Sequence, residues 1–204
     1  MQDLTRNDIL EYTRSRMHEH PRWHSLVAAN PLRGEWLIQE VGIRSSGVFL
    51  WAFLVTNRLR EGLTNWDGFL DIQRRLESIP VELVAFFKQI LDSVDSFCHD
   101  KMSTMLQVAV EAKEPLPARA YTCLEKEYDD SNYVFQLPVR PYTGEEEQES
   151  REQTSWRLDS RTRGLLEMDQ MSGSVTFIHW TVLDFLRTRE MAEYLAGSHL
   201  MGFT

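Results

Sequence analysis

The sequence predicts a mainly α fold: a helical bundle over residues 1–112, then a small α+β winged-helix-like unit with one β-hairpin over residues 113–190. Three observations predict it. Apolar residues recur at three- and four-residue steps through the first half, the period of amphipathic helices. Two short β-prone runs around a Ser-Gly turn, flanked by helical patterns, mark the second. The 204 residues are 42% hydrophobic and 26% charged, with ten Phe, six Trp and six Tyr to fill a core, which is ordinary globular composition. Residues 191–204 read as a C-terminal tail.

The elements follow in order. Thr5-Arg6-Asn7-Asp8 starts a helix to about Met17, with Thr5 as cap and Ile9, Leu10 and Tyr12 as apolar contacts. Pro21 breaks that pattern. Asn30-Pro31 is a cap followed by proline at the first helical position, and its helix carries Trp36, Leu37, Ile38 and Val41. Ser45-Ser46-Gly47 ends that helix and caps the next, Val48 to about Arg60, whose first turns are apolar all round and therefore buried. Asn65 caps a helix with Trp66, Phe69, Leu70, Ile72 and Leu76 inward. Pro80 opens one with Leu83, Phe86, Phe87, Ile90, Leu91, Val94 and Phe97 on its buried face, and Met102, Met105 and Leu106 continue into another. About six helices thus fill residues 1–112.

Pro115-Leu116-Pro117 is a rigid break. Residues 125–152 form an acidic insertion, with nine acidic and three basic side chains. Tyr133 to Pro138 reads as a short extended piece. Thr143 to Glu146 is a capping box for a surface helix from Gly144 to Arg163. Leu165–Met168 and Val175–Ile178 are the two strands of the hairpin, the only clear sheet expected. Thr181, as N-cap, begins a helix to Arg187 with Val182, Phe185 and Leu186 inward.

Several functions are excluded or disfavoured. The net charge of −9 argues against a nucleic-acid binder, which needs a basic face. The helix that would enter a DNA groove carries Glu145, Glu146, Glu147, Glu149, Glu152 and Asp159. The longest apolar run, Val48 to Val55, is eight residues, against the ~20 that span a bilayer, so no membrane partner is expected. No secretory signal is expected, and Cys98 and Cys123 lack a C-x-x-C pattern. A reducing, cytoplasmic location follows. No glycine is followed by lysine, so a P-loop is missing. G-x-G-x-x-G, H-E-x-x-H and G-x-S-x-G are missing too. No catalytic residue and no metal site is expected.

Four groups carry the remaining chemistry. His18, His20 and His24 are close in sequence, but nothing completes a ligand set, and a solvated helix end is the better reading. Glu145 to Glu149 lacks EF-hand spacing and reads as a solvated face. Trp36, Trp51, Trp66 and Trp156 lie beside aliphatic neighbours and read as core rather than as stacking platforms for bases. His179 ends a strand beside a helix N-terminus. It either ties the two elements together or reaches an anion.

The residues also resemble a known family. Leu4-Thr5-Arg6-Asn7-Asp8-Ile9 with Tyr12, Gly47-Val48-Phe49-Leu50-Trp51-Ala52, Arg75-Leu76-Glu77-Ser78-Ile79-Pro80 before Leu83, and Phe177-Ile178-His179 through Thr181-Val182 to Asp184-Phe185-Leu186 together resemble the region after the nucleotide-binding core of fungal NACHT proteins. These are STAND-type signalling NTPases similar to NLR receptors. The position after His179, often polar or basic in relatives, is Trp180. The P-loop and the acidic Mg²⁺-binding strand of the family are not in this chain, and neither is a repeat-type sensor region.

The resemblance implies a regulatory and oligomerisation module without its engine, a truncated product, gene-model fragment or decoy. It would act in non-self recognition, innate immunity or programmed cell death by packing against a NACHT nucleotide-binding domain. Parent proteins bind ATP/ADP or GTP/GDP; the chain itself is expected to hold no cofactor. Only His179 is carried over, as a nucleotide-phosphate sensor usable with a partner core. The parent switch implies an oligomeric state. An unpartnered apolar patch is expected on the helices around Thr5–Met17 and Gly47–Arg60. The alternative is a freestanding helical adaptor or decoy without nucleotide dependence.

Overall fold

A computed structural model of the chain describes residues 2–28, 30–137 and 140–198. It is mainly helical with one small antiparallel sheet, as the periodicity predicts. The chain divides into two compact units, Met1–Gln89 and Ile90–Thr204. The expected boundary near residue 112 thus falls inside the second unit.

The first unit holds α1 (Gln2–His18), α2 (Pro21–Val27), α3 (Pro31–Arg44), α4 (Phe49–Thr64) and α5 (Phe69–Ser78). It also takes most of α6 (Leu83–Asp92). α1 packs on α3 and α4, and α5 packs on α4. Ile9, Met17, Val41, Trp51, Val55, Leu59, Ile72 and Leu76 form the core. Trp51 satisfies its indole by donating from Nε1 to the Pro80 carbonyl at 2.7 Å, which lets so large a ring be buried. Arg44 donates to the carbonyls of Leu76 (2.5 Å) and Ile79 (2.8 Å). It thereby satisfies the open C-terminal end of α5 with a cation.

Several local expectations are corrected here. Pro21 does not merely break the pattern: it opens α2, because its missing N–H costs nothing in a first turn. His20 caps that helix, its Nδ1 accepting from Arg22 N at 3.3 Å. Asn30 makes no side-chain cap bond. Val48 precedes α4 without a side-chain cap, and Ser46 and Gly47 take positive φ instead, a left-handed stop. Asn65 closes α4 rather than opening α5. Gly68 is the N-cap of α5, its N–H bonded to Asp71 Oδ2. Trp66 and Leu70 are exposed, not inward, and so is Phe97. Thr5 lies inside α1, which begins at Gln2, so it is not the cap of that helix.

The second unit holds a 3-10 turn (Ser96–Cys98), α7 (His99–Glu111), β1 (Leu116–Pro117), α8 (Ala118–Asp129), α9 (Tyr133–Gln136), α10 (Gly144–Thr162), β2 (Leu166–Met168), β3 (Ser174–Phe177), α11 (Trp180–Leu186) and α12 (Arg189–Ser198). The sheet order is β1-β3-β2, with Leu116 opposite Val175 and Leu166 opposite Phe177. α8, the short α9 and α10 stand between β1 and β2, and β2 and β3 form the expected hairpin, so the second unit is a small α+β unit. Three details differ from expectation. The Pro115–Pro117 stretch is not only a break: its last two residues, Leu116 and Pro117, pair as a third strand, on an edge where proline is tolerated. Tyr133–Gln136 is a helical turn instead of an extended piece. The segment expected as a tail contributes most of α12.

The capping box of α10 is present as predicted. Thr143 Oγ1 accepts from Glu146 N, and Glu146 Oε2 accepts from Thr143 N at 2.8 Å. α8 and α10 meet through buried hydroxyls: Thr122 Oγ1 bonds both Ser150 Oγ and Thr154 Oγ1, and Thr154 Oγ1 donates to the Ala118 carbonyl. The hairpin turns at Gly173 (φ +69°), beneath the Arg151 guanidinium, which would lie 2.6 Å from any Cβ there. Arg151 donates to the carbonyls of Gln170 and Ser172, both at 3.3 Å, and so holds the hairpin tip against α10.

Candidate functional site

The structure places His179 where β3 gives way to α11. Its backbone is extended (φ −159°, ψ 148°), so it is the last non-helical residue and takes the cap position. The expected cap, Thr181, is already one position inside the helix. Nδ1 of His179 accepts from Thr181 N at 3.2 Å and faces Thr181 Oγ1 at 3.1 Å. An accepting Nδ1 puts the proton of the neutral ring on Nε2.

This arrangement changes what the site can do. An anion at the helix N-terminus would be held by free backbone amides. Thr181 N–H is instead taken by the imidazole, and Val182 N–H by the His179 carbonyl at 3.1 Å. The ring of His179, half-buried, still has its Nε2–H edge to offer a ligand. Trp180 lies beside it, ring centroids 5.4 Å apart, and is 66% exposed.

The other groups are placed as follows. His20 is occupied as a cap on Nδ1 and contacts Thr64 Oγ1 through Nε2 at 3.2 Å. His18 and His24 face each other at 5.3 Å. Among the described residues no three His, Cys, Asp or Glu side chains gather as a metal-holding group. Glu146 is paired bidentately with Arg140. The Arg140 hydrogen bonds and the Thr143 amide hold its carboxyl down to about 2. Of the four tryptophans read as core, Trp51 is buried, Trp36 is 41% exposed, and Trp66 and Trp156 are each 78% exposed. The Arg22 guanidinium lies 4.5 Å from the Trp66 ring centroid, a cation–π contact that suits an exposed indole.

Two features escaped the sequence reading. Leu32 (81% exposed), Trp36 and Ile43 (56%) fall at four- and seven-residue steps on α3, so they share one outward face. Trp36 continues this face to Phe69 of α5, ring centroids 6.5 Å apart. The periodicity of α3 was legible, but its two apolar faces could not be told apart without the neighbours. The patch was expected on the helices around Thr5–Met17 and Gly47–Arg60: Ile9 and Met17 of α1 are fully buried, Val48 and Phe49 are half exposed at the start of α4, and the larger exposures are on α3 and α5. The second feature is a cavity of about 190 Å³ beside Tyr121 in the winged-helix-like unit.

Residues 93–203 match the model of a protein family described as "Domain of unknown function (DUF7791)". No curated protein matches the chain, and no solved structure does.

Proposed function

The chain belongs to the DUF7791 family, and from that premise we propose that it is a non-catalytic regulatory and oligomerisation module that packs against a nucleotide-binding domain. It is the helical and winged-helix-like region of a fungal NACHT-type STAND protein, and it controls a closed/open switch in non-self recognition or cell-death signalling. The observation that carries the reading is the outward stripe of Leu32, Trp36 and Ile43 on α3, joined by Phe69. An apolar face of this kind suits a protein partner, and Trp is the side chain that most often anchors one. The four ordered motif resemblances supply the identity of the partner. The module works in the cytoplasm, in keeping with two unpaired cysteines. No helix among the described residues is long and apolar enough to cross a membrane.

His179 contributes through Nε2–H, adding one hydrogen bond to a nucleotide phosphate held by the partner core. Such a bond to a charged group is worth about 1.5–3 kcal/mol. It biases the closed state and takes no part in a chemical step. The chain itself holds no cofactor; ADP or ATP, or the guanine equivalents, stay on the core.

The experiment mixes this chain with a NACHT core domain loaded with ADP and follows the complex by light scattering. A complex is expected, weakened about tenfold or more by Trp36→Glu or Ile43→Glu, as for truncating an interface anchor. His179→Asn keeps a good helix cap but lacks the imidazole donor. It should leave the melting temperature unchanged and release ADP faster. A chain that ignores the core yet binds a protein partner regardless of nucleotide is the freestanding adaptor instead.

A further inference from the structure

We infer that His18 and His24 form a chelating site for a late first-row divalent cation such as zinc, with water in the remaining coordination positions. The site lies wholly in the first unit and does not depend on the partner-binding reading.

The folded chain separates three histidines that spacing alone left equivalent. His20 is occupied: its Nδ1 caps α2 and its Nε2 meets Thr64 Oγ1. His18, the last residue of α1, and His24, on α2, are both exposed. Their rings face each other with centroids 5.3 Å apart and planes at 81°. Among the described residues neither ring makes a hydrogen bond, so the nitrogens of both are open to a ligand.

That separation is the one a shared metal asks for. Imidazole nitrogens bind zinc at about 2.0–2.1 Å, and two rings at a tetrahedral angle on one ion have centres roughly 5 Å apart. Which nitrogen faces inward is set by χ2, a soft torsion in histidine. The spacing of the rings is set by the fold.

The fold holds that spacing firmly. Met17 and Trp23, each immediately before one of the two histidines, are buried, and the Trp23 ring lies 6.0 Å from that of His18. His20 N donates to the Met17 carbonyl at 3.1 Å, and Trp23 N donates to the His20 carbonyl at 3.0 Å, which closes the turn between α1 and α2. Ligands already in place lose little freedom when an ion arrives.

Donor type selects the ion. Imidazole suits zinc, copper and nickel, whereas magnesium and calcium prefer oxygen. Glu35, a carboxylate that the charge of His18 reaches, already accepts from Arg14 at 2.7 Å and from Gln39 at 2.9 Å, so it is not counted as a ligand. A metal here clips α1 to α2 reversibly and takes part in no chemical step.

The test titrates zinc chloride into the full chain carrying ¹³C,¹⁵N-labelled histidine and follows the ring signals by NMR, with magnesium chloride as the control. Zinc is expected to shift the rings of His18 and His24 together, saturably and with one midpoint, and magnesium to shift neither. His18→Gln and His24→Gln, both at exposed positions, should each weaken zinc binding by about tenfold or more, because the remaining ring then binds without its partner. The two variants read the site from different helices. Absence of saturable shifts, separate midpoints for the two rings, a single variant that keeps the native midpoint, or an equal response to magnesium overturns the proposal.

Discussion

A methyl group on Gly62 would lie 2.6 Å from Ile72 Cδ1 and 2.9 Å from both Arg75 Nε and Asp67 Oδ2. Glycine inside a helix is ordinarily about 1 kcal/mol worse than alanine, so propensity alone favours the substitution. The collision reverses the sign. Arg75 and Asp67 are themselves paired at 2.6 Å, and neither can swing aside without opening that pair. Gly62→Ala is expected to destabilise the first unit by about 1–3 kcal/mol, the cost of overpacking, measured by urea unfolding. A gain in stability would show that α5 yields freely. Single residues were legible in the sequence where their partners are local. Thr143 and Glu146 are three positions apart and find each other in any helix start. Thr181 and Asn65 were misread as caps because the cap is whichever residue ends the extended backbone, and that depends on the preceding strand or loop. Trp66 was misread because an arginine far along the chain, not the core, takes its ring.

At the scale of elements, one carboxylate ties three helices. Glu125 of α8 accepts from Lys101 of α7 at 2.5 Å and from Arg161 of α10, with all three side chains about 85% buried. Burial alone would raise the carboxyl. The hydrogen bonds and charges of Arg161 and Lys101 outweigh it and hold the group down to about 2. The folded value is depressed below the ordinary one, so the stabilisation is present above about pH 4.3 and disappears as pH falls toward about 2. It amounts to no more than about 3 kcal/mol at neutral pH. Glu125→Gln should cost about 3 kcal/mol at pH 7, because two cations stay behind in a poorly solvated place. It should also flatten the acid limb of the stability profile. A variant with the native acid limb would show that the three helices are held by packing alone. α5 and α6 were legible in outline from their apolar period, α4 from its apolar opening turns and α10 from its capping box. α8 was hidden because its C-terminal half lies inside an acidic stretch whose charges face solvent while Ala118, Tyr121 and Thr122 face inward. β1 was hidden because two residues carry no alternation, and only β3 makes them a strand.

Across the whole molecule, charge is divided unevenly. Residues 1–89 carry 11 acidic and 11 basic side chains, so the entire net charge of −9 belongs to residues 90–204, with 20 acidic and 11 basic. The composition shift near residue 113 therefore recorded a change of surface. It did not record the division of the chain, which falls within α6, where the apolar period runs on without a break. Ile90 and Leu91, both buried, belong to the second unit, and Asp92 there accepts from the Tyr194 hydroxyl at 3.0 Å. The family match begins one residue later. A polypeptide of residues 83–204 should accordingly unfold at higher temperature than one of residues 93–204. Losing two buried aliphatic side chains costs about 1.5–3 kcal/mol each. Equal melting temperatures would mean that α6 contributes nothing to the second unit. The class of fold was legible from period and composition. The division was not, because a helix that crosses it reads as any other helix.

The grip of Arg151 on the hairpin tip bears on how this wing behaves in time. A wing that searches a groove or a flexible ligand does so by swinging on a nanosecond scale. Here two carbonyls of the turn are held from the helix beside it, and the glycine at the bend leaves room for the guanidinium that holds them. Those two bonds oppose that swing, so whatever touches that face meets a turn already braced against α10.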